Sequence, residues 1–572
     1  MCFNRFVRGG TGAADRSAFV LIRAFHSAGR LRYPGLMLCP ENALAHWTRM
    51  YYNMIDIADH LFCKGDGPMR MRDKLLLTLL TCLLLSTATA FALTPYSGQW
   101  GGCVWEMNEN GVLTVQAGQA GSVGEAPWED IWYIGANVLS VRLKPGVVLP
   151  SNCRQLFNNL FSCIEIDLKD VDASRVTDIC EMFSGCFCLR NVDLSAFSAS
   201  RISGMRGLFY SCGSLRSADL SCLDTSRVPN MQELFLLCTS LKSVDLSGLD
   251  TRQVTDMHAM FSECSSLTGL DLSTFRTSRV TNMERMFENC SSLSWVEMPH
   301  FDTSAVTSMS SMFAGCAALE SLDLSSFDTR QVRTFSNAFS GCASLKSLGP
   351  AQIDTCSATF LSSMFDGCSS LTSLDTSKFD LYNANYIDYM FRDCASLEVI
   401  DLSRANAQNI WDMGLLFYGC SSLLEADLSS FGTTKCGYAD QMFDGCDSLS
   451  RIILSGDFQF TSSLCLFPDD LWLSKATGQC YTAREIYDSR GGIADAYTRL
   501  AIPKTGVLKL PASTSRVASG AFRGVGAVYV ELPGSLSNIA DDAFDSGVVF
   551  IVARGSAAEA WAEGRGYPIL YR

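Results

Sequence analysis

Cysteine occupies positions 186, 212, 238, 264, 290, 316, 342, 368, 394, 420 and 446, every step 26 residues long. Phenylalanine stands three residues before each of these cysteines, from Phe183 to Phe443, and leucine three residues after, from Leu189 to Leu449. A chain that repeats at a fixed period of this length cannot bury the apolar face of one unit within that unit. It must stack units on one another, and the result is a solenoid.

The unit reads M-F-x-x-C-x-x-L-x-x-L-D-L-S-x-F-D-T-x-x-V-T-x-M, as in Met260 to Met283. Its L-x-x-L-x-L portion, Leu267 to Leu272, predicts one short strand per coil, with Leu270 and Leu272 inward and Gly269 and Asp271 outward. Val280, Met283, Met286 and Phe287 have three-and-four spacing, and Thr281 precedes Glu284 by three. That pattern predicts a short core-facing helix with a capping box on the other side of the coil. The expected fold class is therefore an α/β solenoid, one short parallel strand and one short helix per coil. Its period runs through residues 153–450, behind a β-rich cap at 93–152. A C-terminal cap is expected at 451–500, because an open stack must shield its last coil, and a short second repeat module at 501–572. Gly349-Pro350 replaces Asp-Leu in one coil, and Pro cannot donate within a central strand, so a break is expected there.

The column cysteines sit between an inward Phe and an inward Leu. Small buried fillers, paired disulfides and metal ligands are the three readings, and the first is favoured because parallel side chains in identical settings do not point at each other. Any disulfide is better sought among Cys103, Cys153, Cys180, Cys188, Cys222, Cys356, Cys436, Cys465 and Cys480. Outward strand positions carry Asp193, Asp219, Asp245, Asp271, Glu297, Asp323, Asp375, Asp401 and Asp427. Such a stripe is either a site for calcium or a basic partner, or a solvated column helped by nearby hydroxyls, and the second is favoured. Trp295 takes an outward position that is mostly Ser, Gly or Asn in other coils. Exposed Trp is a common binding anchor, so the candidate contact residues are Trp295, Glu297, His300, Asp245, Asp271 and Asp323. The rival reading has Trp295 covering the side of a neighbouring coil.

These units resemble the BspA-like leucine-rich repeat surface proteins, closely over about residues 160–450. Ser519 to Phe522 and Ala540 to Phe544 are similar to the related variant built on I-x-x-x-A-F, and Gly555 to Tyr567 to its terminal coil. The resemblance implies a leucine-rich repeat fold and adhesion to host matrix proteins or other cells.

Lys and Arg total 45 against 59 Asp and Glu, a net charge of −14 that opposes binding to nucleic acid. Only five histidines occur, with no zinc-ligand spacing, so no cofactor is expected beyond the calcium reading. The Ser and Asp residues are periodic, and no nucleophile, base and acid stand apart from the repeat, so an enzyme is not expected. Met71 to Lys74 and the apolar Leu75 to Leu85, followed by Ala88-Thr89-Ala90, read as a signal peptide over 71–92. Residues 1–70 are then expected to be a mis-assigned, disordered upstream segment. The expected function is a secreted or cell-surface module that binds proteins or glycans through the sheet face of the solenoid, with no integral membrane span after signal cleavage. The alternative is a surface scaffold without a specific ligand.

Overall fold

A computed structural model describes residues 96–572 apart from 129–136, 350–352, 461–467, 469–470, 490–491, 501–506 and 524–528. The upstream segment, the signal segment and Pro350 therefore lie outside the described residues. No helix among the described residues is long and apolar enough to cross a membrane.

The chain begins with antiparallel pairing of Tyr96–Trp100, Cys103–Met107 and Val112–Val115. It turns parallel where Val112–Val115 meets Ser140–Leu143, which pairs in turn with Glu165–Asp167. Hairpins thus blunt the open edge of the stack. The core is continuous across this change. The Trp100 and Trp128 rings lie 5.6 Å apart, and Trp128 stacks at 5.2 Å on Phe157, the first ring of a file that runs to Phe443.

Within the array each coil lays one short parallel strand beside the next, as in Gly269–Asp271 against Trp295–Glu297, where Leu270 pairs with Val296. The Phe rings stack coil on coil with centroids 5.1 to 5.8 Å apart. Each column Cys is buried, and its Sγ donates to the carbonyl of the column Phe 29 residues earlier, as Cys290 does to Phe261 and Cys316 to Phe287, both at 3.1 Å. The cysteines among the described residues are free thiols. The column is thus a row of small fillers that also bond one coil to the one before it. Burial drives these thiols well away from ionisation, with Cys290 and Cys342 pushed up to about 12. The D-T pair of the repeat has a matching role. Buried Thr251 donates to the Arg276 carbonyl at 3.1 Å and accepts the Arg276 N–H at 2.7 Å, and Thr303 repeats this with Asp328.

The expected helix is absent. Among the described residues of the coils no α-helix occurs, and the segment holding Met283, Met286 and Phe287 is a chain of turns. Two residues per coil, four apart, take the left-handed region, as at Arg285 (φ 58) and Asn289 (φ 58) or Ser311 (φ 54) and Gly315 (φ 73). No right-handed helix survives two such residues. Alternate N–H groups reach instead to the next coil, Arg285 to Ser310 at 2.9 Å and Phe287 to Met312 at 2.8 Å. The capping box fails for the same reason: the Glu284 N–H goes to the Asn282 side chain, and Thr281 donates to Thr255 in the preceding coil. A second ladder of single-residue parallel bridges runs here, Asn230–Asp256–Asn282–Ser308–Thr334–Phe360–Tyr386–Asp412–Tyr438.

On the strand side the pairing lapses between Ser347–Leu348 and Val399–Asp401. It resumes through Glu425–Leu428 to Arg451–Leu454, which meets the antiparallel strand Asp495–Leu500. Beyond lie the parallel strands Val507–Lys509, Tyr529–Glu531, Val549–Val552 and Ile569–Tyr571 around a second core containing Leu508, Val530 and Phe550. Phe522 stacks on Phe544 at 4.7 Å, and the helix Ala557–Gly564, capped by Ser556, follows.

Candidate functional site

Trp295 begins the strand Trp295–Glu297 and is 49% exposed. Its cross-strand partner is Gly269, which has no room for a Cβ because the indole lies on it. The ring thus covers the neighbouring coil and still presents half its surface to water. Asp271 is paired with Glu297 on the same two strands, so Trp295, Asp271 and Glu297 stand together on an exposed patch. Asp245 and Asp323 belong to the coils on either side, and His300 is exposed in the turn beyond the strand.

The aspartates of the stripe also build the coil. Asp245 accepts the Ser247 N–H at 2.9 Å, Asp271 that of Ser273 at 2.8 Å and Asp323 that of Ser325 at 2.8 Å. Each of these aspartates closes the turn that follows its strand, which explains why Asp recurs at this position in most coils. Hydrogen bonds from the Ser247 backbone, the Ser273 hydroxyl and the Ser325 backbone hold Asp245, Asp271 and Asp323 below the usual carboxylate range. Among the described residues no three His, Cys, Asp or Glu side chains converge closely enough to hold a metal ion.

A second exposed feature was missed by the repeat-based reading. Along the turn-side ladder the polar Asn, Asp, Ser and Thr of the earlier coils give way to Phe360 (46% exposed), half-buried Tyr386 and, after Asp412, Tyr438 (53%), with Trp411 (45%) next to Asp412. Phe360 stacks on Tyr386 at 5.5 Å, and Trp411 meets Tyr386 and Tyr438 edgewise at 5.6 and 5.1 Å. The signal was available: three aromatics stand in one column of the aligned repeats, at positions that are polar in earlier coils.

A stack of coils joined by short parallel strands around a file of buried Leu, Phe and Cys, with no α-helix among the described residues of the coils, defines a leucine-rich solenoid. The family described as "Mycoplasma protein of unknown function, DUF285" matches residues 151–270, 255–350 and 338–455, together more than half of the chain. The family described as "BspA type Leucine rich repeat region (6 copies)" matches 504–549. The chain belongs to the BspA-like leucine-rich repeat proteins. No curated protein matches it. Among solved structures it is similar to a leucine rich cell surface protein of Faecalibacterium prausnitzii, at 16% identity, with 64% of this chain and 96% of that one covered and a TM-score of 0.36. It is also similar to a leucine-rich repeat protein of Eubacterium ventriosum, at 14% identity, with 66% and 97% covered and a TM-score of 0.29. Membership of this family points to a role in protein interaction or adhesion.

Proposed function

We propose that this protein is a secreted or cell-surface adhesion module that binds a protein or glycan through the strand face of its solenoid. The observation that carries this reading is Trp295, a half-exposed indole on a rigid parallel ladder beside Asp271 and Glu297. Large aromatic side chains held by a rigid scaffold act as anchors at interfaces, because little side-chain freedom is lost when they are covered. Export is supported by the signal-like segment 71–92. His300, Asp245 and Asp323 would form the rim of the contact. The role is that of a binder and not of an enzyme, a reading supported by the outward Asp carboxylates, which accept turn N–H groups.

The alternative, a surface scaffold without a ligand, draws on the same turn-closing aspartates, which the coil needs whether or not anything binds. Binding of the full chain to immobilised host matrix proteins, and to glycans released from cell surfaces, distinguishes the two. A saturable isotherm that weakens about tenfold or more with Trp295→Ala supports adhesion through this face. Unchanged binding in that variant moves the contact elsewhere, and absence of binding to every probe favours the scaffold. Repeating the measurement with a calcium chelator tests whether the acidic stripe acts through a cation.

A further inference from the structure

Trp411 is set differently from the rings beside it. Rings stacked from one coil to the next, such as Phe360 on Tyr386 with 10° between their planes, have their normals near the solenoid axis. The indole is turned by 72° from Tyr386 and 73° from Tyr438 and meets both in T-shaped contacts. It stays 45% exposed to water. The next coil places Gly437 beside the indole, where any larger residue would lie over it.

Carboxylates recur on the coils that carry these rings. Asp388 and Asp440 occupy the same column two coils apart, and the coil between them has Gly414 at that position, with Asp412 two residues before it. Asp412 is half buried and accepts the Gly414 N–H at 2.9 Å, and Asp388 accepts the Ser362 hydroxyl at 2.6 Å. Among the described residues none of the three makes an ion pair; nearby Arg392 is engaged with Asp366. Burial first, and then the charges of Asp388 and Asp440, hold the Asp412 carboxyl above its ordinary range against the hydrogen bond from Gly414.

We propose that the edge formed by Phe360, Tyr386, Trp411 and Tyr438, bordered by Asp388, Asp412 and Asp440, docks an extended polypeptide segment bearing arginine or lysine. A guanidinium laid on an indole face gains a cation–π contact, and carboxylates within reach complement its charge. The ring edges of Phe360, Tyr386 and Tyr438 supply apolar surface for the aliphatic stems of such side chains. A neutral sugar would use the indole face and leave the carboxylates unneutralised, so charge complementarity selects the basic peptide. This edge is separate from the strand face: Leu270 in the strand and Asn282 in the ladder are twelve residues apart along one coil.

The test is titration of the full chain with three probes: a peptide alternating Arg and Ser, the same peptide with Glu for Arg, and a neutral linear glucan oligosaccharide. The Arg peptide is expected to bind saturably, and more weakly as salt rises. Trp411→Ala should weaken it about tenfold or more, and the double variant Asp388→Asn, Asp440→Asn should weaken it and flatten its salt dependence. Trp295→Ala should leave it unchanged, so that failure here and failure of the strand-face reading are separable. The proposal is overturned if the Arg peptide does not bind, if the Glu peptide or the glucan binds as tightly, or if Trp411→Ala changes affinity less than twofold. Loss of Arg-peptide binding in Trp295→Ala with none in Trp411→Ala would assign the peptide to the strand face. Trp411 and both aspartates lie at the surface, so circular dichroism of the variants is expected to match the parent.

Discussion

The coils before residue 350 and those after it are built on one interior and finished with two different edges. Phe313 and Phe391 are both stacked between the rings of the coils on either side, and Cys316 and Cys394 donate at the same 3.1 Å to a Phe carbonyl. Along the turn-side ladder, however, Asn282, Ser308 and Thr334 are followed by Phe360, Tyr386 and Tyr438 with no change in the bridging. The comparison teaches that the solenoid demands particular side chains where they point inward or close a turn. The backbone bridging of the ladder persists whether the side chain is a turn-closing Asn or Asp or an aromatic ring, so these positions tolerate change.

If the interior is equivalent in both regions, Phe313→Ala and Phe391→Ala should each cost about 3 to 5 kcal/mol in urea unfolding, the usual loss for a buried ring. A difference of several kcal/mol between them would break the comparison. Cys316→Ala and Cys394→Ala should each cost about 1 to 2 kcal/mol, from the lost hydrogen bond and the small cavity. Leu237 holds a φ of 65, and Leu237→Gly should raise stability by about 0.5 to 1 kcal/mol, since a left-handed residue is strained unless it is glycine. A helix at this point would instead make the substitution destabilising. Exchanging the edges through Thr334→Tyr or Tyr386→Thr should shift stability by no more than about 0.5 kcal/mol, the range of surface changes. The smallest effect concerns acid. The Asp271 carboxyl titrates below its unfolded value near 4, so the stability it adds is complete above that pH and fades as pH falls through the folded value. Asp271→Asn keeps an acceptor for Ser273, and should lessen the acid sensitivity while leaving neutral stability nearly unchanged.

Much of the coil was legible in the residues. Cys264, Phe261, Leu267 and Leu270 point inward as their period requires, and Trp295 stands outward where the alternation puts it. The helix was misread because Val280, Met283, Met286 and Phe287 would face a core equally from a helix or from a turn with two left-handed residues. Spacing alone cannot separate these. The correcting sign was glycine just before the column cysteine, at Gly185, Gly315, Gly341, Gly367, Gly419 and Gly445, all with φ between 72 and 77. The stripe of aspartates was visible as charge, but its part in turn closure required knowing that Asp271 faces the Ser273 N–H. The aromatic edge escaped because a consensus averages each column, and its meaning lies in the coils that depart from it.

By itself the sequence determined the period, the inward columns and the need for caps, because apolar residues recurring every 26 positions have only stacking as a means of leaving water. Only the tertiary structure decided that the second side of each coil is a turn, that Trp295 shares its surface with Gly269, and that Trp411 stands edge-on between two tyrosines. These depend on which atoms of one coil meet those of the next, a relation that spacing along the chain does not contain.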